Sequence, residues 1–220
     1  MAKSKWVWHT DHTMQKKEFW KQFENQPTIV LLQGDITQED TDAVVNTTTR
    51  TFEMAGGVDK AITRAAGPGM KEACAQYGSM ETSQVIITER FNLASQYIIH
   101  TVGPVYGKEG GKEAELLAAC YKNCLWMADQ YNIRTISFPV ISTGIYGYPM
   151  DEATRVMARS IGGYFFDPAN MNSTIEEVHC VVFTEDKYQI VDEVFEELFN
   201  RNDAWSQQAS FCSTLRLISC

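Results

Sequence analysis

Thr135-Ile-Ser-Phe-Pro-Val-Ile-Ser-Thr-Gly-Ile-Tyr-Gly-Tyr-Pro149 decides the fold. Ile136–Val140 lacks the sustained polar alternation of a half-exposed strand, as expected of a strand covered on both faces. The second part carries two glycines, two hydroxyl side chains and two tyrosines, and ends in a proline that cannot extend the strand. Asp151–Phe165 then has helical spacing. Strand, glycine-rich loop and helix in this order are one unit of an α/β fold.

Outward from that unit the same alternation recurs. Thr28–Leu32, Asp42–Val45, Gln84–Thr88, Tyr97–Val102 and Val178–Phe183 read as strands. Val58–Ala66, Lys112–Tyr131 and Lys187–Phe199 read as helices, the first closed by Gly67-Pro68-Gly69. Such alternation argues for a largely parallel sheet between helices. Residues 28–200 are expected to form one domain. Residues 1–27, with Trp6, Trp8, Phe19, Trp20 and Phe23, form a partly helical extension, its helix expected at Lys16–Phe23. Residues 201–220 are polar at first and are expected to be a flexible tail, with an ordered strand at Ser213–Ile218 as the alternative.

Composition narrows the function. Among 220 residues, 28 acidic against 19 basic side chains give a net charge of −9, which argues against holding nucleic acid by bulk electrostatics. It leaves room for a small anion held by backbone N–H groups. The N-terminus has no apolar core of a secretory signal, and no run approaches the ~20 apolar residues of a membrane span. Six cysteines are too sparse for a disulfide scaffold, and Cys120 and Cys124 fall on an apolar helix face as small buried hydrophobes. His9 and His12 lack nearby cysteine or acidic partners, so no metal is expected. The expected setting is the cytoplasm, with no membrane association.

In an open α/β sheet, ligands lie beyond the carboxyl ends of the strands. Three stretches fall there. Gly34-Asp35-Ile36-Thr37 follows the first strand; Asp35 could accept from an exocyclic amine, or only cap the turn. Asn46 precedes Gly56-Gly57-Val58-Asp59, where glycines at a helix start aim N–H groups at an anion, while Asp59 could equally be a first-turn capping acid. Ser142-Thr143-Gly144-Ile145-Tyr146 could cradle a phosphate without a cation. Neither a G-x-G-x-x-G nor a G-x-x-x-x-G-K-[ST] pattern is present, which excludes those nucleotide sites.

Taken in order and spacing, these stretches resemble the macrodomain family, and within it the MacroD-type branch. Tyr97-Ile-Ile-His-Thr-Val-Gly-Pro104 and Arg64-Ala-Ala-Gly67 support the match. The resemblance implies a three-layer α/β/α sandwich around a mixed, mostly parallel sheet, with ADP-ribose or an ADP-ribosylated protein as partner and no cofactor. It implies that Asp35 and Ile36 meet the adenine end and that Phe183 stacks on the ring. Gly56, Gly57 and Val58, with Ser142, Thr143, Gly144, Ile145 and Tyr146, enclose the diphosphate, and Tyr146 shapes the distal ribose pocket. Asn46 bonds that ribose. In hydrolytic relatives the aspartate matching Asp59 helps a water attack the anomeric carbon and release ADP-ribose from acidic side chains; deacetylation of O-acetyl-ADP-ribose is a related activity. The expected state is a monomer.

The sequence departs from the family in the catalytic loop. The usual Asn-Ala-Ala-Asn is Asn46-Thr47-Thr48-Thr49, and the usual four glycines are Met54-Ala55-Gly56-Gly57. Two expectations follow: a hydrolase built on Asp59 and Asn46, or a reader that binds ADP-ribose without turnover.

Overall fold

In the central strands, alternate side chains leave opposite faces of the sheet, so an unbroken apolar run requires cover on both sides. The computed structural model, which describes residues 15–19, 26–53 and 56–199, supplies it. In chain order the elements are β1 (Lys16–Phe19), β2 (Thr28–Gln33), a 3-10 turn (Ile36–Gln38), β3 (Ala43–Thr48), α1 (Gly57–Ala66), α2 (Pro68–Ala75), β4 (Val85–Glu89) and β5 (Tyr97–Val102). There follow α3 (Glu113–Gln130), β6 (Thr135–Phe138), α4 (Met150–Phe166), a second 3-10 turn (Pro168–Asn170), β7 (Glu177–Val182) and α5 (Glu185–Phe199).

The seven described strands form one sheet in the order β1-β2-β7-β6-β3-β5-β4. The five inner strands run parallel, and β1 and β4 flank them antiparallel. One face, with Ile29, Leu31, Val45, Phe138 and Cys180, packs on α3, α4 and α5. The other, with Val30, Val44, Ile98 and Val181, packs on the α1 and α2 side. Each fully buried Ile, Leu or Phe contributes about 1.5–3 kcal/mol. The result is the expected three-layer sandwich with a mixed, mostly parallel sheet. Cys120 and Cys124 are fully buried in the first core, as their helical spacing predicts.

One expectation is corrected and one is extended. The helix expected over 16–23 is not formed at its described residues: Lys16–Phe19 is a strand paired antiparallel with Ile29–Leu32. Phe19 faces the core, and Lys17 also points inward to ion-pair with Asp192 and Glu196 of α5. Likewise Gly67-Pro68 does not only end α1. Gly67, at φ +86°, caps α1 through its N–H to Thr63 O, and Pro68 at once opens α2, where a proline needs no donor. Trp20, Phe23, His9, His12, Met54, Ala55 and the tail 201–220 lie outside the described residues. No described helix is long and apolar enough to cross a membrane.

Candidate functional site

The carboxyl ends of β2, β3, β5, β6 and β7 open on one side of the sheet. On β3, Asn46 and Thr48 share a face and look toward α1; Asn46 stands in register with His100 of β5. α1 begins where Gly56 (φ +128°) and Gly57 (φ +55°) take backbone angles that side-chain-bearing residues rarely adopt. That start sets Asp59 in the first turn, 3% exposed and facing β3.

A buried polar chain results. Asn46 Nδ2 donates to Asp59 Oδ1 (2.9 Å) and lies 3.2 Å from His100 Nδ1, while Thr48 Oγ1 donates to Asp59 Oδ2 (3.1 Å). His100 Nε2 meets Thr88 Oγ1 at 2.9 Å. An amide nitrogen only donates, so His100 Nδ1 accepts and the ring carries its proton on Nε2. Burial lowers the His100 pKa to about 4, which keeps the ring neutral at neutral pH. With both amide hydrogens used, Asn46 Oδ1 is left buried and without a hydrogen-bond partner. An orphaned acceptor of this kind costs about 1–3 kcal/mol until something donates to it. Cys74 lies beside His100, but burial, and then the Asp59 charge, push its thiol up to about 11, so it is no nucleophile.

The second wall is the loop after β6. Ser142 holds a left-handed conformation (φ +67°), is 7% exposed, and its hydroxyl has no partner. It sits over Gly103 at the end of β5, where any Cβ would lie 2.3 Å from Ser142 Oγ. Thr143 Oγ1 instead donates back to Val140 O (2.7 Å), so its hydroxyl closes the loop and only its main chain faces outward. Tyr148 N–H donates to Ser142 O and Gly147 N–H to Gly144 O, each at 3.0 Å. Gly144 and Ile145 are exposed, and Ile145 Cγ2 would lie 3.9 Å from a Cβ on Gly56, so this loop borders the start of α1. Tyr146 is half-buried; burial and the Asp59 charge raise its phenol pKa, with Arg50 opposing.

The third element is the 3-10 turn after β2. Asp35 Oδ1 accepts from Thr37 N (2.9 Å) and Thr37 Oγ1 (2.8 Å), the capping role, and Oδ2 takes no hydrogen bond among the described residues. Gly34 N–H donates to Val182 O (2.9 Å), which sets this turn against the end of β7, where Phe183 is 72% exposed. Ile36 is buried in the second core, so only its main chain can face a ligand. Val58 packs partly buried against that same core.

The residues singled out from sequence thus fall into three neighbouring groups at the carboxyl edge of the sheet, the line taken below as the binding groove: Asp35 with Phe183, the two glycine-bearing loops, and Asn46 with Asp59. Thr48, His100 and Thr88 were missed. A histidine within the mostly apolar Tyr97–Val102, and a threonine two residues beyond Asn46 on the same strand face, were the available signals. Thr49, where an asparagine is usual, is turned into its own loop and bonds Glu53 N (2.9 Å) and Glu53 O (3.1 Å). Among the described residues no cluster of three or more His, Cys, Asp or Glu could hold a metal ion.

Known proteins resemble this chain in sequence and in fold. The family model described as Macro domain matches residues 45–157. A macro domain-containing protein of Caldanaerobacter subterraneus subsp. tengcongensis is 37% identical over 174 residues, 77% of this chain and 97% of that protein. An O-acetyl-ADP-ribose deacetylase of Salmonella typhimurium is 41% identical over 160 residues, 71% of this chain and 87% of the enzyme. Among solved structures, the Oceanobacillus iheyensis macrodomain with ADP superposes with a TM-score of 0.78 at 35% identity, covering 86% of this chain and 99% of that one. The Trypanosoma brucei macrodomain in complex with ADP-ribose gives 0.68 at 32% identity, covering 75% and 68%.

Proposed function

This chain belongs to the macrodomain family, and on that premise we propose that it binds ADP-ribose along the groove and hydrolyses mono-ADP-ribose from modified acidic side chains. One observation carries the catalytic half: Asp59, buried at the groove's base, accepts from Asn46 and Thr48 through its two carboxylate oxygens while Asn46 Oδ1 beside it is unpaired. The 41% identity to an O-acetyl-ADP-ribose deacetylase supports hydrolysis, and extends the proposal to O-acetyl-ADP-ribose.

In this reading the adenine amine donates to Asp35 Oδ2 and the ring stacks on Phe183. The N–H groups of Gly56, Gly57 and Val58 and of residues 142–146 take the diphosphate, helped by the α1 N-terminus, so no cation is needed. Asn46 Oδ1 accepts from a hydroxyl of the distal ribose, which relieves its unpaired state. Asp59 takes a proton from a water as its oxygen bonds to the anomeric carbon. The carbon–oxygen bond to the modified side chain breaks, and the leaving carboxylate keeps the bonding pair. The neighbouring diphosphate favours protonation of Asp59 and so strengthens it as a base, while Asn46 and Thr48 hold it in place. Cys74, Cys120, Cys124 and Cys180 are buried free thiols, in keeping with a reducing cytoplasmic setting. Residues 28–200 are proposed as the domain body and a monomer as the working unit.

The alternative is a reader. Thr49 favours it, because its hydroxyl is committed to Glu53 and gives nothing to the ribose. A release assay on a protein mono-ADP-ribosylated at acidic residues separates the two. General-base help is worth about 10²–10⁴-fold, and Asp59→Ala is expected to lose it while calorimetry still detects ADP-ribose. Equal release by wild type and variant, with binding intact, establishes the reader; no binding overturns both.

A further inference from the structure

A second, partly buried polar cluster lies on the α1 face of the sheet, away from Asp59. His179 of β7 stands in register with Ser137 of β6 and Val30 of β2. Its Nδ1 is 2.7 Å from Glu39 Oε2 and its Nε2 is 3.0 Å from Glu177 Oε2. Glu39 Oε2 also accepts from Ser137 Oγ (2.8 Å), which in turn lies 2.9 Å from Thr41 Oγ1. Ser137 is fully buried and bonds the carboxylate rather than the ring, so this is no nucleophilic triad.

Glu39 ends the 3-10 turn that Asp35 begins: Gln38 N–H returns to Asp35 O and Glu39 N–H to Ile36 O. β7 carries His179 and ends one residue before Phe183. The Glu39–His179 pair therefore joins the two walls of the groove's adenine end, the turn bearing Asp35 and the strand ending at Phe183. A carboxylate accepts and does not donate, so a ring held at both nitrogens by carboxylates needs a proton on each. Loss of one proton turns the charge-assisted link between Glu39 and the ring into a neutral one, or breaks it if Nδ1 is the nitrogen that loses it, and leaves the Gly34 N–H to Val182 O bond as the remaining join at this end.

We propose that Glu39 and His179 are positioning residues for adenine recognition, holding the Asp35 turn in register with Phe183 most firmly while both ring nitrogens of His179 carry protons; this rests on the adenine reading given above. The charged groups facing the ring are Glu39 from the turn and Glu177 from its own strand, while β6 and β2 present Ser137 and Val30. Burial opposes the charged ring, but the two carboxylates outweigh it and raise the pKa above its ordinary value. Anchoring is thus strongest in mild acid and weakens as pH rises through that raised value.

The test is calorimetry on the full chain with ADP-ribose and with the analogue whose purine lacks the 6-amino group, from about pH 6 to about pH 9.5. The ratio of the two affinities reads the Asp35 contact alone. In wild type it is expected near tenfold at the acid end, falling to about twofold at the alkaline end. Glu39→Gln and His179→Gln are expected to give a ratio that does not change with pH, whereas a merely structural role weakens both ligands alike. A wild-type ratio independent of pH, or variants with the wild-type profile, overturns the proposal while leaving the site. If neither variant folds, the wild-type profile alone decides. Failure to bind ADP-ribose at any pH overturns the site reading and this proposal with it.

Discussion

Thr48 Oγ1 donates to Asp59 Oδ2 at 3.1 Å, across the space between β3 and the first turn of α1. With Asn46 on the other oxygen, the carboxylate is fixed in direction before any ligand arrives. Thr48→Val keeps the shape and removes the donor. A hydrogen bond to a charged group is worth about 1.5–3 kcal/mol, so kcat for de-ADP-ribosylation is expected to fall at least about tenfold. KM, set mainly by the adenine and phosphate contacts, is expected to hold. A matched rise in KM with unchanged kcat contradicts this role.

Phe183 is 72% exposed at the end of β7 and packs in neither core, so its removal should spare the fold. Base–aromatic stacking contributes about 1–3 kcal/mol, so Phe183→Ala is expected to weaken ADP-ribose by about 5- to 150-fold. Thermal melting of the unliganded protein should stay at the wild-type value. Calorimetry and a melting curve check both halves.

Gly103 has no room for a side chain: a Cβ there lies 2.3 Å from Ser142 Oγ and 2.8 Å from Ile141 Cγ2. Gly103→Ala must displace the 142–146 loop. The expected cost is about 1–3 kcal/mol of stability, together with weaker ADP-ribose binding. Denaturant unfolding and calorimetry measure the two; loss of stability with unchanged affinity would detach this loop from the ligand.

Two histidines give stability opposite pH slopes. His100, buried and neutral with its pKa at about 4, lets only the unfolded chain bind a proton between about pH 4 and its ordinary value near 6.5. Its contribution is present above pH 6.5 and lost on acidification, by about 2 kcal/mol between pH 6.5 and 5. His179, with a raised value, contributes below pH 6.5, and that contribution is lost as pH rises. Denaturant midpoints for wild type, His100→Gln and His179→Gln across this range should show each variant flattening its own limb.

Much of this was legible locally. The 135–149 stretch announces a strand buried on both faces and a loop at its carboxyl end, and the 178–182 run, apolar but for His179, does the same for β7. Asn46, Asp59 and the two loops could be named because each is a short pattern at a strand end. What escaped depends on partners far along the chain. β1 has only four described residues, and its inward Lys17 makes sense only beside Asp192 and Glu196. Gly67-Pro68 reads as a stop because a helix start immediately after a helix end uses the same residues. Thr48, His100 and the Glu39–His179 pair are ordinary polar residues until β3, β5, β6 and β7 are laid side by side.

Ile145, 67% exposed, and Phe183 at the far end of the groove are the large apolar side chains this surface leaves in water. A ligand lying between the two loops and β7 covers them both. Removing apolar surface from water lowers heat capacity, so the enthalpy of association should grow more favourable on warming even though the polar contacts are to neutral N–H groups. The sign of that temperature slope, rather than any single affinity, is what these two exposed side chains impose on the protein.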